Sequence, residues 1–389
     1  MSADRLNQIT PFRVMELMKR AEELERRGHK VVHFEVGEPD FNTAEPIIEA
    51  GRQALVDGRT KYTHALGLIE LREAIARDYA NRLNVAVPVE RIAVTAGASG
   101  GLLLLNALLL NPGDGLLTTD PGYPCNEAFT HVTGGVPQRV PVHARDGYAL
   151  TVDALNEHWQ STTKGLLLAS PANPTGAVMS DDGLRQLGDV VAQRAGFFIL
   201  DEIYQGLTYG RQQSVTSGLA VVDDLIVLNS FSKYYGMTGW RLGWVVLPEA
   251  LVADLEKLAQ NLFISPSSVA QYAALAAFAP EAMAIHEARR ARFDQRRQQL
   301  SSGLEALGLD VPATPGGAFY LYVDVSSAGM DSFDFCWRLI DEFQVAVTPG
   351  IDFGEREADR FVRFAYTTDE GSIDIGLDRI GHALEVWGV

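Results

Sequence analysis

One repeated unit limits what this chain can become. Between residues 91 and 233, short unbroken apolar runs recur. Each stops at a polar, glycine- or proline-bearing turn. The run 91–95 meets AGASGG at 96–101 and then a helix-like stretch at 102–110. The run 116–119 stops at DPGY (120–123), 165–170 at PANPTG (171–176), 197–200 at DEIY (201–204), and 225–229 at SFSK (230–233). Strands that are apolar throughout, instead of alternating, are buried on both faces. Strands separated by helices run parallel. The reading is therefore an α/β fold with a mostly parallel sheet flanked by helices. Ligands of such sheets bind beyond the carboxyl ends of the strands. All five polar clusters fall there.

The flanks read differently. Residues 11–28 make an amphipathic helix stopped by Gly28, 31–36 a strand, and 45–57 and 67–84 helices. Beyond Pro266 come a long charged helix at 281–304, a strand within 315–323, a helix at 331–343, strands at 345–348 and 360–366, and a helix to Trp387. This is the pattern of a smaller α+β domain. The expected division is an N-terminal helical arm at 1–45 that belongs partly to the small domain, a large domain at 46–280, and the C-terminal small domain at 281–389. A chain of 389 residues fits this count, since domains average about 150 residues.

Composition excludes several classes. Fifty acidic against 33 basic residues leave a net charge of −17, which disfavours nucleic acid and anionic membranes as partners. Only two cysteines occur, Cys125 and Cys336, with no metal-type spacing, and a cytoplasmic location is expected. The N-terminus lacks an apolar signal core. The longest apolar run, 102–110, is too short to span a bilayer. His29 and His33 straddle a helix end and a strand start, so no metal is expected there.

The candidate chemistry centres on Lys233, set between a buried strand and a loop rich in glycine and aromatic residues. Burying an ammonium is costly, and lysine is the side chain whose pKa moves enough to form Schiff bases. A lysine snorkelling at a strand end is the plainer reading. The AGASGG turn opens a helix, which suits an anion such as phosphate. It also contains the GxSxG spacing of a hydrolase nucleophile elbow at Ser99, with Asp374 and His382 following in chain order. Asp201 closes an apolar strand, so its carboxylate needs a partner. It is either a helix cap or salt-bridge partner, or the counter-ion of a protonated ring nitrogen. Tyr204 and Asn173 could bond a hydroxyl on such a ring, and Tyr123 offers a face for stacking. Arg241 suits phosphate. Arg363, inside an apolar strand, suits either a salt bridge or bidentate capture of a carboxylate.

Taken together, GEPDF (37–41), KYT (61–63), AGASGG (96–101), PGYP (121–124), NPTG (173–176), DEIY (201–204), SFSKYYGMTGWRLG (230–243) and VRF (362–364) resemble the fold-type-I pyridoxal-phosphate aminotransferases of class I/II, which include the aspartate aminotransferases. The resemblance implies a seven-stranded sheet and pyridoxal 5'-phosphate as cofactor. It implies amino transfer from an L-amino acid to a 2-oxo acid by a ping-pong mechanism. It implies Lys233 as the Schiff-base and proton-moving residue, with Asp201 on the ring nitrogen. Tyr204 and Asn173 would bind the ring hydroxyl, Tyr123 would stack, and Ala98, Ser99, Ser230, Ser232 and Arg241 would hold the phosphate. Tyr62 would reach the neighbouring subunit's phosphate in a homodimer with shared active sites. Arg363, Asn173 and the backbone at Gly37 would hold the substrate carboxylate. Ser99 and Pro124 stand where aspartate-specific relatives of one bacterial subgroup carry Lys and Trp, so neutral and aromatic substrates stand level with dicarboxylic ones. Phe12, Phe263 and Ile264 are read as an apolar approach. The alternatives are a C–S β-lyase of the same fold, a serine hydrolase using Ser99, and a non-catalytic regulator that keeps the cofactor site.

Overall fold

The computed structural model describes residues 3–210 and 216–389. Among these, strands β1 to β12 form three sheets. The large one comprises β2 (Ile92–Thr95), β3 (Gly115–Asp120), β4 (Val136–Pro141), β5 (Thr163–Ala169), β6 (Phe197–Asp201), β7 (Ile226–Ser230) and β8 (Gly243–Val246), in the order β2-β8-β7-β6-β5-β3-β4. β8 runs antiparallel to both its neighbours, and the other pairs are parallel.

Alternate side chains explain why these strands are apolar throughout. Leu166, Leu168, Leu200 and Val227 enter one core, under Leu184, Leu187 and Val191 of the helix Asp181–Gln193. Leu167, Ile199, Ile226 and Leu228 enter the other, under Leu104 and Leu105 of the helix Gly97–Leu109 and Leu255 of the helix Glu249–Leu262. Each such side chain contributes about 1.5–3 kcal/mol on burial. The central positions of these strands are therefore apolar, and polar residues gather toward the strand ends, as with Thr163 and Lys164 of β5 and Asn229 and Ser230 of β7.

The helix after β2 begins at Gly97, not at Leu102. The glycines that read as a turn serve close packing instead: a Cβ on Gly101 would lie 2.5 Å from Leu228 Cδ1. Gly97 itself sits at φ +69, a conformation cheap only for glycine.

The remaining strands are shorter than the sequence suggests. β1 (Val32–His33) pairs in parallel with β10 (Val345–Ala346). β11 (Thr348–Pro349), β12 (Phe361–Ala365) and β9 (Tyr320–Asp324) form an antiparallel sheet. The stretch read as one strand at 345–348 is thus shared between two sheets. Phe34 joins them: its N–H donates to Ala346 at 2.8 Å and its carbonyl accepts from Ala365 at 2.7 Å. The N-terminal helix Val14–Arg26 docks on this C-terminal region, because the Asp352 carboxylate accepts the backbone N–H groups of Arg13 (3.0 Å) and Val14 (2.8 Å). Arg20 pairs with Asp341 at 2.6 Å. Among the described residues no helix is long and apolar enough to cross a membrane.

Candidate active site

Where β5, β6 and β7 end, the apolar requirement ends too, and the next side chains line a cavity of about 420 Å³. Asp201 is the last residue of β6 and Ser230 the last of β7. Lys233 follows three residues later. Its Nζ donates to the Gly37 carbonyl at 2.7 Å and lies 5.9 Å and 5.7 Å from the ring centres of Tyr204 and Phe319. Lys233 is half-buried and points inward, so the snorkelling reading fails. Burial, together with Arg363 and Arg241, pushes its amine down to about 8, against the pull of Glu38 and Asp201. A larger share of neutral, nucleophilic amine is the result.

Asp201 is 3% exposed. Burial pushes its carboxyl up to about 7, opposed only by the Ile203 N–H at 3.0 Å and by Lys233. A buried acid with so little compensation is matched to a cationic partner such as a protonated ring nitrogen. Tyr204 bonds Tyr320, hydroxyl to hydroxyl, at 2.8 Å.

On the opposite wall, the first turn of the helix Gly97–Leu109 carries Ala98 and Ser99. The Arg241 guanidinium packs so closely there that a Cβ on Gly97 would lie 2.5 Å from Arg241 Nη2. Ser230 Oγ donates to Ser232 Oγ at 2.9 Å and accepts the Ser232 N–H at 3.0 Å. A helix N-terminus, two hydroxyls and a guanidinium make a phosphate-sized anion cradle.

The third wall comes from the C-terminal sheet. Arg363, 3% exposed, donates to Asn173 Oδ1 (3.0 Å) and the Glu35 carbonyl (2.6 Å). Its guanidinium lies 4.4 Å and 4.7 Å from the ring centres of Tyr320 and Phe353. Its Nε is buried and unpaired. An orphaned donor on a flattened, ring-clamped guanidinium suits a carboxylate ligand.

The structure thus gathers Gly37, Ala98, Ser99, Tyr123, Asn173, Asp201, Tyr204, Ser230, Ser232, Lys233, Arg241 and Arg363 around one cavity. Tyr62 lies outside it, 80% exposed. Of the apolar approach residues only Phe12 lines it, joined by Met15 and Met18 of the N-terminal helix. Phe263 packs instead against the core around Leu102 and Leu105, and Ile264 is 53% exposed at φ +64. Asp374 and His382 do not approach Ser99. Asp374 accepts from Gln299 at 2.5 Å, and His382 packs edge-on against Phe343. His33 lies between the carboxylates of Glu35 (2.7 Å) and Glu25 (3.2 Å).

Tyr320 is the site residue that sequence reasoning missed. It bonds Tyr204, stacks on Arg363 and abuts Gly37, where a Cβ would lie 2.1 Å from its hydroxyl. In a strand buried along its whole length, no alternation marks it out. The glycine pair before it was the only signal.

The chain matches the family described as Aminotransferase class I and II over residues 29–380. It belongs to that family. It is 36% identical to a valine–pyruvate aminotransferase of Mycobacterium tuberculosis over 96% of each chain. It is 35% identical to the (5-formylfuran-3-yl)methyl phosphate transaminase of Methanocaldococcus jannaschii over 98% of each. Among solved structures, an aminotransferase from Mycobacterium tuberculosis superposes with a TM-score of 0.96 at 35% identity, covering 99% of both chains. The aspartate aminotransferase of Thermus thermophilus with maleate gives 0.92 at 32%, covering 98% of this chain and 99% of that one. This is an aminotransferase of fold type I, not a serine hydrolase.

Proposed function

We propose that this aminotransferase uses pyridoxal 5'-phosphate to move the amino group of an L-amino acid to a 2-oxo acid by a ping-pong route. The observation that carries the reading is the pairing of a depressed lysine amine with a buried acid held near 7 in one cavity. The residues present fit the cofactor: among the described residues no ion pair engages Asp201, and Gly97 makes room for Arg241 beside the anion cradle. Once bound, the cofactor supplies an aldehyde and a ring that accepts the electron pair released at the substrate α-carbon.

The chain's residues then act as follows. Lys233 Nζ would hold the cofactor through its aldehyde carbon and would take and return the proton at the substrate α-carbon. Asp201 would keep a proton on the ring nitrogen. Tyr204 and Asn173 would hold the ring hydroxyl, and Tyr123 would offer its face to the ring. Ala98, Ser99, Ser230, Ser232 and Arg241 would hold the phosphate. Arg363, Asn173 and the Gly37 backbone hold the substrate carboxylate, which fixes the α-carbon for proton transfer. In the proposed division, residues 46–280 carry the cofactor half of the site and residues 281–389 bring Arg363. Tyr62, exposed here, reaches the phosphate of the partner in a homodimer with shared sites. Two free cysteines, Cys125 and Cys336, suit a reducing cytoplasm.

The experiment is a paired-product assay with 15N-labelled L-amino acids and 2-oxoglutarate. Label recovered in glutamate, with parallel lines in double-reciprocal plots, is expected. Release of labelled ammonia with pyruvate would instead identify a β-lyase.

A further inference from the structure

A second cavity of about 300 Å³ lies beside the first and shares Phe12, Tyr123, Ala169 and Asn173 with it. Its charged wall is engaged elsewhere: the Arg13 guanidinium lies over the Phe333 ring, 5.4 Å from its centre. Arg139 is clamped by Glu127 at 2.5 Å and 2.9 Å and by Glu355 at 2.6 Å, and Asp352 accepts the Arg13 and Val14 N–H groups. Two polar groups there are not satisfied. Thr118 Oγ1 and Asn126 Oδ1 are buried without a hydrogen-bond partner, on residues 4% and 6% exposed. Buried polar atoms are rarely left unpaired unless a ligand or water completes them. The remaining wall is apolar, with Ile9 and Pro11 on one side and Ala128 and Phe353 on the other.

We propose that this annex is the subsite for the substrate's side chain, and that it takes a bulky, neutral side chain with a hydrogen-bond donor near its tip. The inference rests on the carboxylate reading of Arg363 and Asn173. Asn173 lines both cavities, so a substrate anchored there carries its side chain past Tyr123 into the annex. Among the described residues of the annex, Arg13 is the one cation without an ion pair, and its guanidinium is stacked on Phe333, which does not line the annex, so a side-chain carboxylate finds no partner there. Thr118 and Asn126 offer acceptors to a phenol or amide N–H at the far end.

The test measures kcat/KM for L-alanine, L-phenylalanine and L-tyrosine, and calorimetric Kd values for propionate and phenylpropionate. The wild-type protein is compared with Ala128→Met, which fills the annex, and Asn126→Ala, which removes an acceptor while leaving the space. Wild type is expected to favour the aromatic substrates over alanine by at least about tenfold, the usual scale for filling an apolar subsite. Ala128→Met should lower aromatic kcat/KM and phenylpropionate affinity about tenfold, with alanine and propionate unchanged. Asn126→Ala should weaken tyrosine relative to phenylalanine by about three- to tenfold. An alanine rate equal to or above the aromatic rates, or variants that lower all three substrates alike, would overturn the proposal. A protein inactive with every amino acid would instead remove the transaminase reading beneath it.

Discussion

The proposed cofactor half and the proposed substrate half of this site are built by different means. Asp201, Ser230, Ser232 and Lys233 stand at or just past the ends of adjacent parallel strands. Each is placed by a few residues of local chain, and the buried strands behind them fix their height. Arg363 is placed by partners far away in sequence: Asn173, the Glu35 carbonyl and the rings of Tyr320 and Phe353. The first half is rigid wherever the sheet is rigid. The second exists only while the N-terminal segment, the NPTG loop and the C-terminal sheet are docked together. Changes in the first half should therefore strike the chemistry, and changes in the second should strike substrate binding.

Lys233→Ala gives the largest expected effect. Turnover should fall by about 10⁴-fold, the upper range for losing a positioned proton-transfer group, with melting temperature held within a few degrees. A wild-type rate would break the comparison at once.

Asp201→Asn should lower kcat by about 100-fold while the cofactor remains bound, because a charge aimed at the reacting ring is lost. It also has a signature without cofactor. In the cofactor-free protein the native carboxyl keeps its proton up to about pH 7, whereas the unfolded chain releases it near about pH 4. Over that window the native state binds more protons, so stability falls as pH rises. Melting curves across the window should show a shallower fall in Asp201→Asn than in wild type. Identical slopes would contradict the buried, uncompensated state of Asp201.

Arg363→Lys should raise KM by roughly 10- to 100-fold with kcat changed far less, since a planar fork is replaced by a point charge. A loss confined to kcat would erase the distinction between the two halves. Tyr320→Phe is the mildest test. It removes one neutral hydrogen bond, to Tyr204, worth about 0.5–1.5 kcal/mol, and should lower kcat/KM by about three- to tenfold. A spectral shift of the bound cofactor would show that Tyr320 acts through Tyr204, whereas a pure KM effect would place its role on Arg363.

The same contrast explains what the sequence made legible. Unbroken apolar runs followed by polar turns are local signals, so the sheet and the positions of Lys233, Asp201, Tyr204 and Ser230 followed directly. The AGASGG segment misled, because glycines that permit close helix-to-strand packing look like glycines that permit a turn. Phe263 and Ile264 misled because hydrophobicity does not say which core a residue joins. Tyr320 and the annex around Thr118 and Asn126 were out of reach. Their significance lies in long-range neighbours and in hydrogen bonds left unmade, of which the sequence carries at most the glycine pair before Tyr320.

The central claim is that Lys233 carries the cofactor. The most direct measurement is the visible absorption spectrum of the purified protein with pyridoxal phosphate, before and after borohydride, followed by peptide mapping. The account predicts a visible band that borohydride bleaches, with the cofactor then fixed to the peptide containing Lys233. A protein that stays colourless after incubation with the cofactor, or one labelled at a different lysine, would contradict it.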